Sequence, residues 1–266
     1  MQVTYTTPSG YSWQLCDDIL KQEHVMIGGT TGSGKSTLLH SIIFSALAHS
    51  PVTVQFVLID LKGTELMDYE HLPHTLAYAD EPTQAIRALE YADRLMRSRL
   101  ETMKKARQKT YTGADIYIIV DEMAVLMQTT KAKTLPILAD IMRLGRAAKV
   151  HVISATQNPS RSKGGGAPTE IQQNVTSSVC LRVRSAIEAR QLLGVSGPEK
   201  FRREDYLAMY WNTDGITTVK LPLTPEADLK ERIRYWMSAK PTRATGKETK
   251  CSQSGLFSRF SHVFSR

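Results

Sequence analysis

The chain has 266 residues, a formal net charge of +8 at pH 7 and a sequence pI near 9.4. This length suits one α/β domain with appendages and can bury a core without disulfides or structural metals. The three cysteines lie far apart without metal-ligand spacing, which favours a reducing compartment. Neither a signal peptide nor a run of eighteen apolar residues is visible. We therefore expect a cytoplasmic protein that has no transmembrane segment and that can work at a membrane through partners.

The predicted elements begin with a β-hairpin and lead-in over residues 1–20, because TYTTPSGYSWQL places two short strands around a Pro-Ser-Gly turn. After it, apolar β-branched runs alternate with segments of helical periodicity. The predicted strands cover residues 24–28, 52–60, 75–79, 115–122, 150–156 and 179–183. The predicted helices cover residues 35–49, 82–109 and 134–148. This alternation indicates an α/β fold whose mostly parallel sheet carries helices on both faces.

Two segments break this pattern. Residues 158–169, NPSRSKGGGAPT, are rich in glycine, proline and serine and predict an exposed, mobile loop. The basic tail 239–266 is polar and turn-rich, which predicts disorder with a short amphipathic end at LFSRFSHVFSR. That end suits a membrane surface or a partner groove, and equally a frayed terminus without function. The main domain is therefore predicted to span residues 21–238.

A glycine-rich segment follows the predicted strand at residues 24–28. Its sequence, GTTGSGKS, matches G-x-x-x-x-G-K-[ST] in full, with a strand before it and a helix after it. Glycines let the backbone fold tightly around phosphate oxygens, and the helix N-terminus adds its positive dipole end. Lys35 would reach the β- and γ-phosphates, and the Ser36 hydroxyl would ligate Mg²⁺. A Gly-rich turn matched by chance is the alternative, which both flanks disfavour. We predict an ATP site formed by Gly29, Thr30, Thr31, Gly32, Ser33, Gly34, Lys35, Ser36 and Thr37.

An acidic pair ends the apolar run YIIVDE. The carboxyl ends of parallel strands meet at one edge of the sheet, which is where the glycine-rich loop is also expected. We predict that Asp121 holds Mg²⁺, directly or through water, and that Glu122 polarises the attacking water. Capping of the following helix is the alternative, but it does not explain two adjacent acids after an apolar run.

Gln157 lies just beyond the predicted strand VHVISAT. A neutral amide at the same sheet edge suits a sensor of the γ-phosphate or a group that orients water. A loop glutamine that makes only local hydrogen bonds is the alternative. The two preceding motifs favour the sensor.

Taken together, these segments resemble the motor domain of the FtsK/SpoIIIE branch of the FtsK–HerA ATPases, which are DNA translocases with a RecA-like P-loop NTPase fold. The resemblance runs from about Leu20 to Pro222. Asp60, Lys62 and Glu65 stand at matching places within the stretch FVLIDLKGTELMDYEHLPH. Further similar stretches are MRSRLETM, IIVDEMAVLM, GRAAKVHVISATQNPS and IQQNVTSSVCLRVRSAIEARQLLG.

The resemblance implies a homohexameric ring that moves double-stranded DNA and binds nucleotide between subunits. Arg146 matches the family arginine that would act as a finger in the neighbouring site, with Arg143 as the second candidate. Arg161 and Lys163 fall in the loop where translocases touch the DNA backbone, and they suit phosphate contacts. A solvated helix face and an ordinary basic loop are the alternatives, and the net charge alone does not decide between them.

The family's membrane helices and its DNA-reading winged helix are absent from this sequence. Gly164–Gly166 replace a usually apolar segment. These departures predict a pared-down motor from a mobile element, plasmid or phage, working with membrane or relaxase-type partner proteins. An ATPase of a protein-secretion system is the rival hypothesis, since such ATPases share the fold and the motifs. A nonenzymatic nucleotide-gated binder is disfavoured by the intact Lys35, Asp121 and Glu122.

Overall fold

The computed structural model describes residues 14–157 and 168–239. Its strands share a high content of apolar and β-branched residues, as expected of strands covered on both faces. They are β1 His24–Gly28, β2 Val54–Ile59, β3 Thr75–Ala79, β4 Asp115–Val120, β5 Val150–Thr156, β6 Ser177–Cys180, β7 Leu207–Asn212 and β8 Gly215–Lys220.

All eight strands form one sheet in the order β3-β2-β4-β5-β1-β6-β7-β8. The strands β1 to β6 are parallel, and β7 and β8 add an antiparallel extension at one edge. The register sets Gly28, the last residue of β1, opposite Thr156 of β5. Likewise Ile59 of β2 stands opposite Val120 of β4. The residues that follow these four strands therefore emerge at the same edge of the sheet.

Helices cover both faces of this sheet. They are α1 Gln14–Leu20, α2 Lys35–Ala46, α3 Pro82–Ala106, α4 Met123–Ala148, α5 Thr169–Gln172, α6 Ala186–Leu193 and α7 Glu226–Ser238. The helices α1 and α2 bury their apolar side chains on one face, and α3 and α4 bury theirs on the other. On the first face α7 is joined to α2 by Trp236, whose indole Nε1 donates to the carbonyl of Leu47 over 2.9 Å.

The predicted fold class is confirmed, because the sheet is mostly parallel and is covered by helices on both faces. The bounds predicted for β1, β3 and β5 are also those of the structure. Other predicted bounds differ from those of the structure. The helix α4 begins at Met123 rather than near residue 134, and β4 ends before the acidic pair. The strand β6 covers Ser177–Cys180 instead of residues 179–183.

The end of the predicted N-terminal hairpin is wrong. Gln14 and Leu15 belong to α1 and not to a strand. Leu15, Cys16 and Ile19 are buried together against the core, and their spacing is that of one helix face. The predicted loop also ends earlier than residue 169, because Thr169 begins α5. The rest of the predicted hairpin, residues 158–167 of the predicted loop with Arg161 and Lys163, and residues 240–266 of the predicted tail lie outside the described residues.

No helix within residues 14–157 and 168–239 is long and apolar enough to cross a membrane. The longest helix, α4, has 26 residues, but polar side chains interrupt its apolar positions along its length.

The amino-terminal edge of the sheet contains a deeply buried histidine. His24 is 1% exposed, and its Nδ1 accepts a hydrogen bond of 3.1 Å from the backbone N–H of Val152. Burial, together with the nearby His151, lowers the pKa of His24 to about 4. A proton on Nδ1 would also remove the acceptor that the N–H of Val152 uses. The folded protein therefore holds this imidazole in its neutral form.

We expect His24 to make the fold sensitive to acid. Its folded pKa lies below its unfolded pKa of about 6.5, so the unfolded chain binds the proton more tightly. The stability that depends on the neutral ring is present above pH 6.5 and is lost as the pH falls toward 4. Between pH 7 and pH 5 the wild type should lose about 2 kcal/mol more unfolding free energy than His24→Gln. Urea titrations at both pH values measure this, and the exposed His71→Gln is the control. Equal losses in wild type and His24→Gln would contradict the assignment.

Candidate functional site

A cleft of about 450 Å³ opens at the carboxyl edge of the parallel strands, where β1, β2, β4 and β5 end. One wall is the loop between β1 and α2, and the floor is formed by the acids that follow β4. The opposite wall comes from a segment near β7 and from the residues after β8. The cleft is therefore assembled from segments that are distant in the sequence and adjacent only in the fold.

The loop between β1 and α2 depends on glycine at several positions. Gly32 and Gly34 have φ angles of 72° and 100°, in the left-handed region that side chains with a Cβ disfavour. A Cβ on Gly29 would lie 2.5 Å from the Ser33 hydroxyl and 2.9 Å from the Cβ of Leu181. The helix α2 begins at the end of this loop without a side-chain cap, so its first N–H groups face the cleft. This is the geometry of an anion cradle.

Lys35 points back into this loop. Its ammonium donates to the carbonyl of Gly29 over 2.6 Å and to that of Thr30 over 2.9 Å. Burial lowers the pKa of Lys35, whereas the neighbouring Glu122 and Asp121 act in the opposite direction. A desolvated cation held by backbone oxygens at the floor of the cleft is an attractive partner for an anion.

The acidic pair lies at the floor, and both residues are buried. Burial raises the pKa of Asp121 to about 6, against the opposing effect of the ammonium of Lys62. The Glu122 carboxylate accepts the backbone N–H of Gln157 through both oxygens, at 3.0 and 3.2 Å. The side-chain oxygen of Gln157 in turn accepts the hydroxyl of Thr31 over 2.9 Å. One chain of contacts therefore links the acid pair, the end of β5 and the glycine-rich loop.

The loop after β2 forms the third side of the cleft, and Asp60 organises it. The Asp60 carboxylate is fully buried and accepts four backbone N–H groups. These donors belong to Lys62, Gly63, Glu65 and Leu66, at distances between 2.7 and 3.2 Å. The resulting turn directs the side chains of Lys62 and Glu65 toward the cleft.

Most of the residues that the sequence predicts for the site lie at or beside this cleft. They are the loop residues 29–37, Asp121, Glu122 and Gln157. Arg146 does not, because it is highly exposed at the opposite end of α4 and pairs with Glu23 over 2.6 Å at the amino-terminal edge of the sheet. Arg143 pairs with Asp140 on the same helix. Arg161 and Lys163 lie outside the described residues.

The far wall of the cleft contains residues that the sequence prediction missed: Arg203, Tyr206 and residues 221–223. The guanidinium of Arg203 lies 3.9 Å from where a Cβ on Gly32 would stand, so it faces the glycine-rich loop. Tyr206 has a left-handed φ of 50° and ends the turn before β7. No motif or periodicity marks these residues, and only the antiparallel extension of the sheet brings them to the cleft.

Two solved structures share the fold of this chain. The pCW3 conjugation coupling protein TcpA, solved as a monomer with ATPγS, has a TM-score of 0.70 and 19% identity, covering 82% of this chain and 66% of that one. The cytoplasmic domain of the Type VII secretion ATPase EccC from Thermomonospora curvata has a TM-score of 0.68 and 23% identity, covering 82% and 28%. At these identities the likeness concerns the fold alone. The fold and the loop-and-acid geometry are those of the P-loop ATPases.

Sequence comparison identifies the branch within this class. Residues 14–117 match the model of the FtsK/SpoIIIE family. The DNA translocase FtsK of Rickettsia prowazekii (strain Madrid E) is 30% identical over 265 residues, covering 83% of this chain and 35% of the relative. The chain thus contains an ATPase domain of the FtsK/SpoIIIE family, and it spans about a third of the length of such relatives.

We expect Asp60→Asn to disorganise the loop after β2. The amide keeps the size of the side chain but replaces one acceptor oxygen by a donor, so two of the four N–H groups lose their partner. The unfolding free energy should fall by about 2–4 kcal/mol, measured in urea. The exposed Asp80→Asn, on the same side of the sheet, should change it by less than about 0.5 kcal/mol. A stable Asp60→Asn variant would show that the four bonds contribute little.

Proposed function

We propose that the chain hydrolyses ATP, with Mg²⁺ as cofactor, and uses the reaction to move double-stranded DNA. One observation carries the proposal. The glycine-rich loop, the acid pair and Gln157 converge on one cleft, in a chain whose curated relatives are named DNA translocases.

The cleft fits a nucleoside triphosphate. The left-handed glycines and the uncapped start of α2 turn N–H groups toward the cleft, where phosphate oxygens would accept them. Lys35 would exchange its carbonyl partners for the β- and γ-phosphates. The cleft's other wall offers the ring of Tyr206 and the apolar residues 221–223 beside the base and sugar. The residues of the loop, 29–37, are therefore proposed as the nucleotide-binding set.

The cleft also fits a magnesium ion that arrives with the nucleotide. No cluster of three or more His, Cys, Asp or Glu side chains able to hold a metal occurs in the part of the chain that the structure describes. Mg²⁺ at nucleotide sites needs no such cluster, because phosphates and water supply most of its ligands. We propose the Ser36 hydroxyl and the Asp121 carboxylate as its protein ligands. Bound Mg²⁺ would neutralise negative charge on the phosphate oxygens.

Glu122 and Gln157 are proposed to handle the attacking water. The carboxylate of Glu122 is buried at the floor of the cleft and is oriented by the backbone N–H of Gln157. A carboxylate fixed in this way can accept a hydrogen bond from water and draw a proton from it as the water attacks. The side-chain amide of Gln157 contacts Thr31 of the glycine-rich loop and is proposed to report the presence of the γ-phosphate.

Two variants should separate binding from hydrolysis. Lys35→Ala should lose nucleotide binding, because the phosphates lose their buried cation. Glu122→Gln should bind ATP but hydrolyse it about 10²–10⁴ times more slowly, since the amide cannot accept the proton of the water. Equilibrium binding of a fluorescent ATP analogue and phosphate release measure the two effects, with the exposed Glu101→Gln as control. Hydrolysis by Glu122→Gln at near the wild-type rate would show that another group activates the water.

The ring that the resemblance implies would bring Arg146 to a neighbouring site. Arg146 lies at the amino-terminal edge of the sheet and the cleft lies at the carboxyl edge, so it cannot serve the cleft of its own subunit. Head-to-tail packing in a ring joins unlike surfaces and would let one subunit complete the next site. We propose a homohexamer in which Arg146 leaves Glu23 and acts as the arginine finger in the cleft of the neighbouring subunit. Native mass measurement with ATPγS and duplex DNA tests this, and a monomeric active enzyme would contradict it.

Several properties of the chain support DNA as the polymer. The curated relatives are named DNA translocases, and the net charge of this chain is +8. The likeness of fold to a conjugation coupling protein supports a DNA-transfer motor of a mobile element, plasmid or phage. We propose a cytoplasmic motor that works with membrane or relaxase-type partner proteins. Co-purification from a host carrying the element would test those partners.

The rival is an ATPase of a protein-secretion system. The likeness of fold to the secretion ATPase EccC favours it. The relatives found by sequence are named DNA translocases, whereas the likeness to EccC is one of fold, and this favours DNA. ATPase rates with and without duplex DNA decide between the two. A rate indifferent to DNA, in assembled and active rings, would favour secretion.

Arg161→Ala combined with Lys163→Ala should weaken the stimulation of ATP hydrolysis by duplex DNA. Contacts to phosphates release counterions, so each lost contact flattens the log–log dependence of DNA affinity on salt by roughly 0.9. Basal hydrolysis should persist. Lys104→Ala combined with Lys105→Ala removes the same charge from the exposed end of α3 and is the matched control. Unchanged stimulation and an unchanged salt slope in the first variant would assign the DNA contact to other residues.

A further inference from the structure

The loop after β2 brings a second lysine to the floor of the cleft. Asp60 accepts four N–H groups of this loop, so its backbone is held in place from Lys62 to Leu66. The Lys62 ammonium lies 3.7 Å from an oxygen of Glu122 and 4.0 Å from an oxygen of Asp121. Its side chain is 38% exposed, whereas both carboxylates are 7% exposed. Lys62 therefore approaches the buried acids from the open side of the cleft.

The two lysines of the cleft have different partners. Lys35 donates to backbone carbonyls within the glycine-rich loop, at 2.6 and 2.9 Å. Within the described part of the chain, Lys62 makes longer ionic contacts to the acid pair on the opposite side. An exposed ammonium at such distances is free to turn by rotation of its flexible stem. It can therefore exchange one anionic partner for another without a change in the backbone of its loop.

The proposed nucleotide orientation determines which anion Lys62 would meet. The last phosphate of the nucleotide must lie next to the group that activates water, and that group is proposed to be Glu122. The ammonium of Lys62 stands beside the same carboxylate. A triphosphate would thus place its γ-phosphate between Lys35 and Lys62, whereas a diphosphate would end short of Lys62.

We propose that Lys62 binds the γ-phosphate and makes the cleft discriminate ATP from ADP. This inference rests on the proposed ATPase function and adds a residue to it. Lys35 then serves both nucleotides, and Lys62 serves the triphosphate alone. When ATP binds with Mg²⁺, the ammonium transfers from the acid pair to the γ-phosphate, which frees Asp121 for the metal ion.

A purely structural role of Lys62 predicts a different effect on nucleotide binding. If the ammonium only neutralised the buried acids, its loss would destabilise the floor of the cleft and weaken ATP and ADP alike. The proposed role predicts a selective loss for the triphosphate. It also predicts a gain for Mg²⁺ alone, because an ammonium beside Asp121 and Glu122 repels a second cation from the same oxygens.

The first experiment measures dissociation constants for ATPγS and ADP, each with Mg²⁺, by titration calorimetry on the full chain. Lys62→Ala should bind ATPγS about tenfold more weakly, since one charge-assisted hydrogen bond is lost, and ADP within about twofold of wild type. Lys62→Arg keeps the charge and should keep most of the preference. The control is Lys149→Ala, because Lys149 pairs with Asp115 at 3.0 Å with a similar exposure of 31% on the opposite edge of the sheet. It should change neither constant.

The second experiment titrates Mg²⁺ alone and follows the midpoint of thermal unfolding. Lys62→Ala should respond at lower Mg²⁺ concentrations than wild type. An unchanged ratio of ATPγS to ADP affinity, or an equal loss for both nucleotides, would overturn the role of Lys62, as would a weaker response to Mg²⁺. A wild type that binds neither nucleotide would instead overturn the proposed function, so the two failures are distinguishable.

Discussion

Parallel pairing of the central strands is the constraint on which the cleft depends. Gly28 stands opposite Thr156, Ile59 stands opposite Val120, and Val120 stands opposite Ser154, so four chain segments leave the sheet at the same edge within two residues of one another. The glycine-rich loop, Gln157, the loop after β2 and the acid pair are the next residues along those segments. A register slip of one residue would turn the side chains of a strand to the opposite face of the sheet. The buried side chains of α2, α3 and α4 fix the register and thereby the distances within the cleft.

The charged side chains of the cleft differ in their partners, and these partners determine how easily each side chain can move. The Asp60 carboxylate accepts four backbone N–H groups and therefore stabilises the conformation of the loop after β2. Lys35 is held by backbone acceptors and is buried. Lys62 contacts the carboxylates of Asp121 and Glu122 and is partly exposed. Burial raises the pKa of Asp121 to about 6, which indicates a carboxylate that would gain from a stronger cationic partner.

The sequence allowed the fold class and most of the cleft to be predicted, because local signals coincide with it. The strand bounds of β1, β3 and β5 follow from short apolar runs with clear ends, and the glycine-rich loop follows from a complete motif. Arg203 and Tyr206 carry no such signal, since they reach the cleft through antiparallel pairing between β6 and β7. The start of α4 was missed because the polar residues near Thr130 obscure its period, although Thr130 and Thr134 bond within the helix.

Gln157 is the last described residue before the segment with Arg161 and Lys163, and its backbone N–H is bound by the Glu122 carboxylate. One hydrogen-bonded junction thus joins the site proposed for hydrolysis to the segment proposed for DNA contact. Thermodynamic linkage requires that any coupling through this junction act equally in both directions. If binding of a polymer at that segment alters the Glu122–Gln157 contact and so changes the affinity for nucleotide by some factor, nucleotide must change the affinity for the polymer by the same factor. The affinity for the polymer and the affinity for the nucleotide would then be thermodynamically coupled through this one contact.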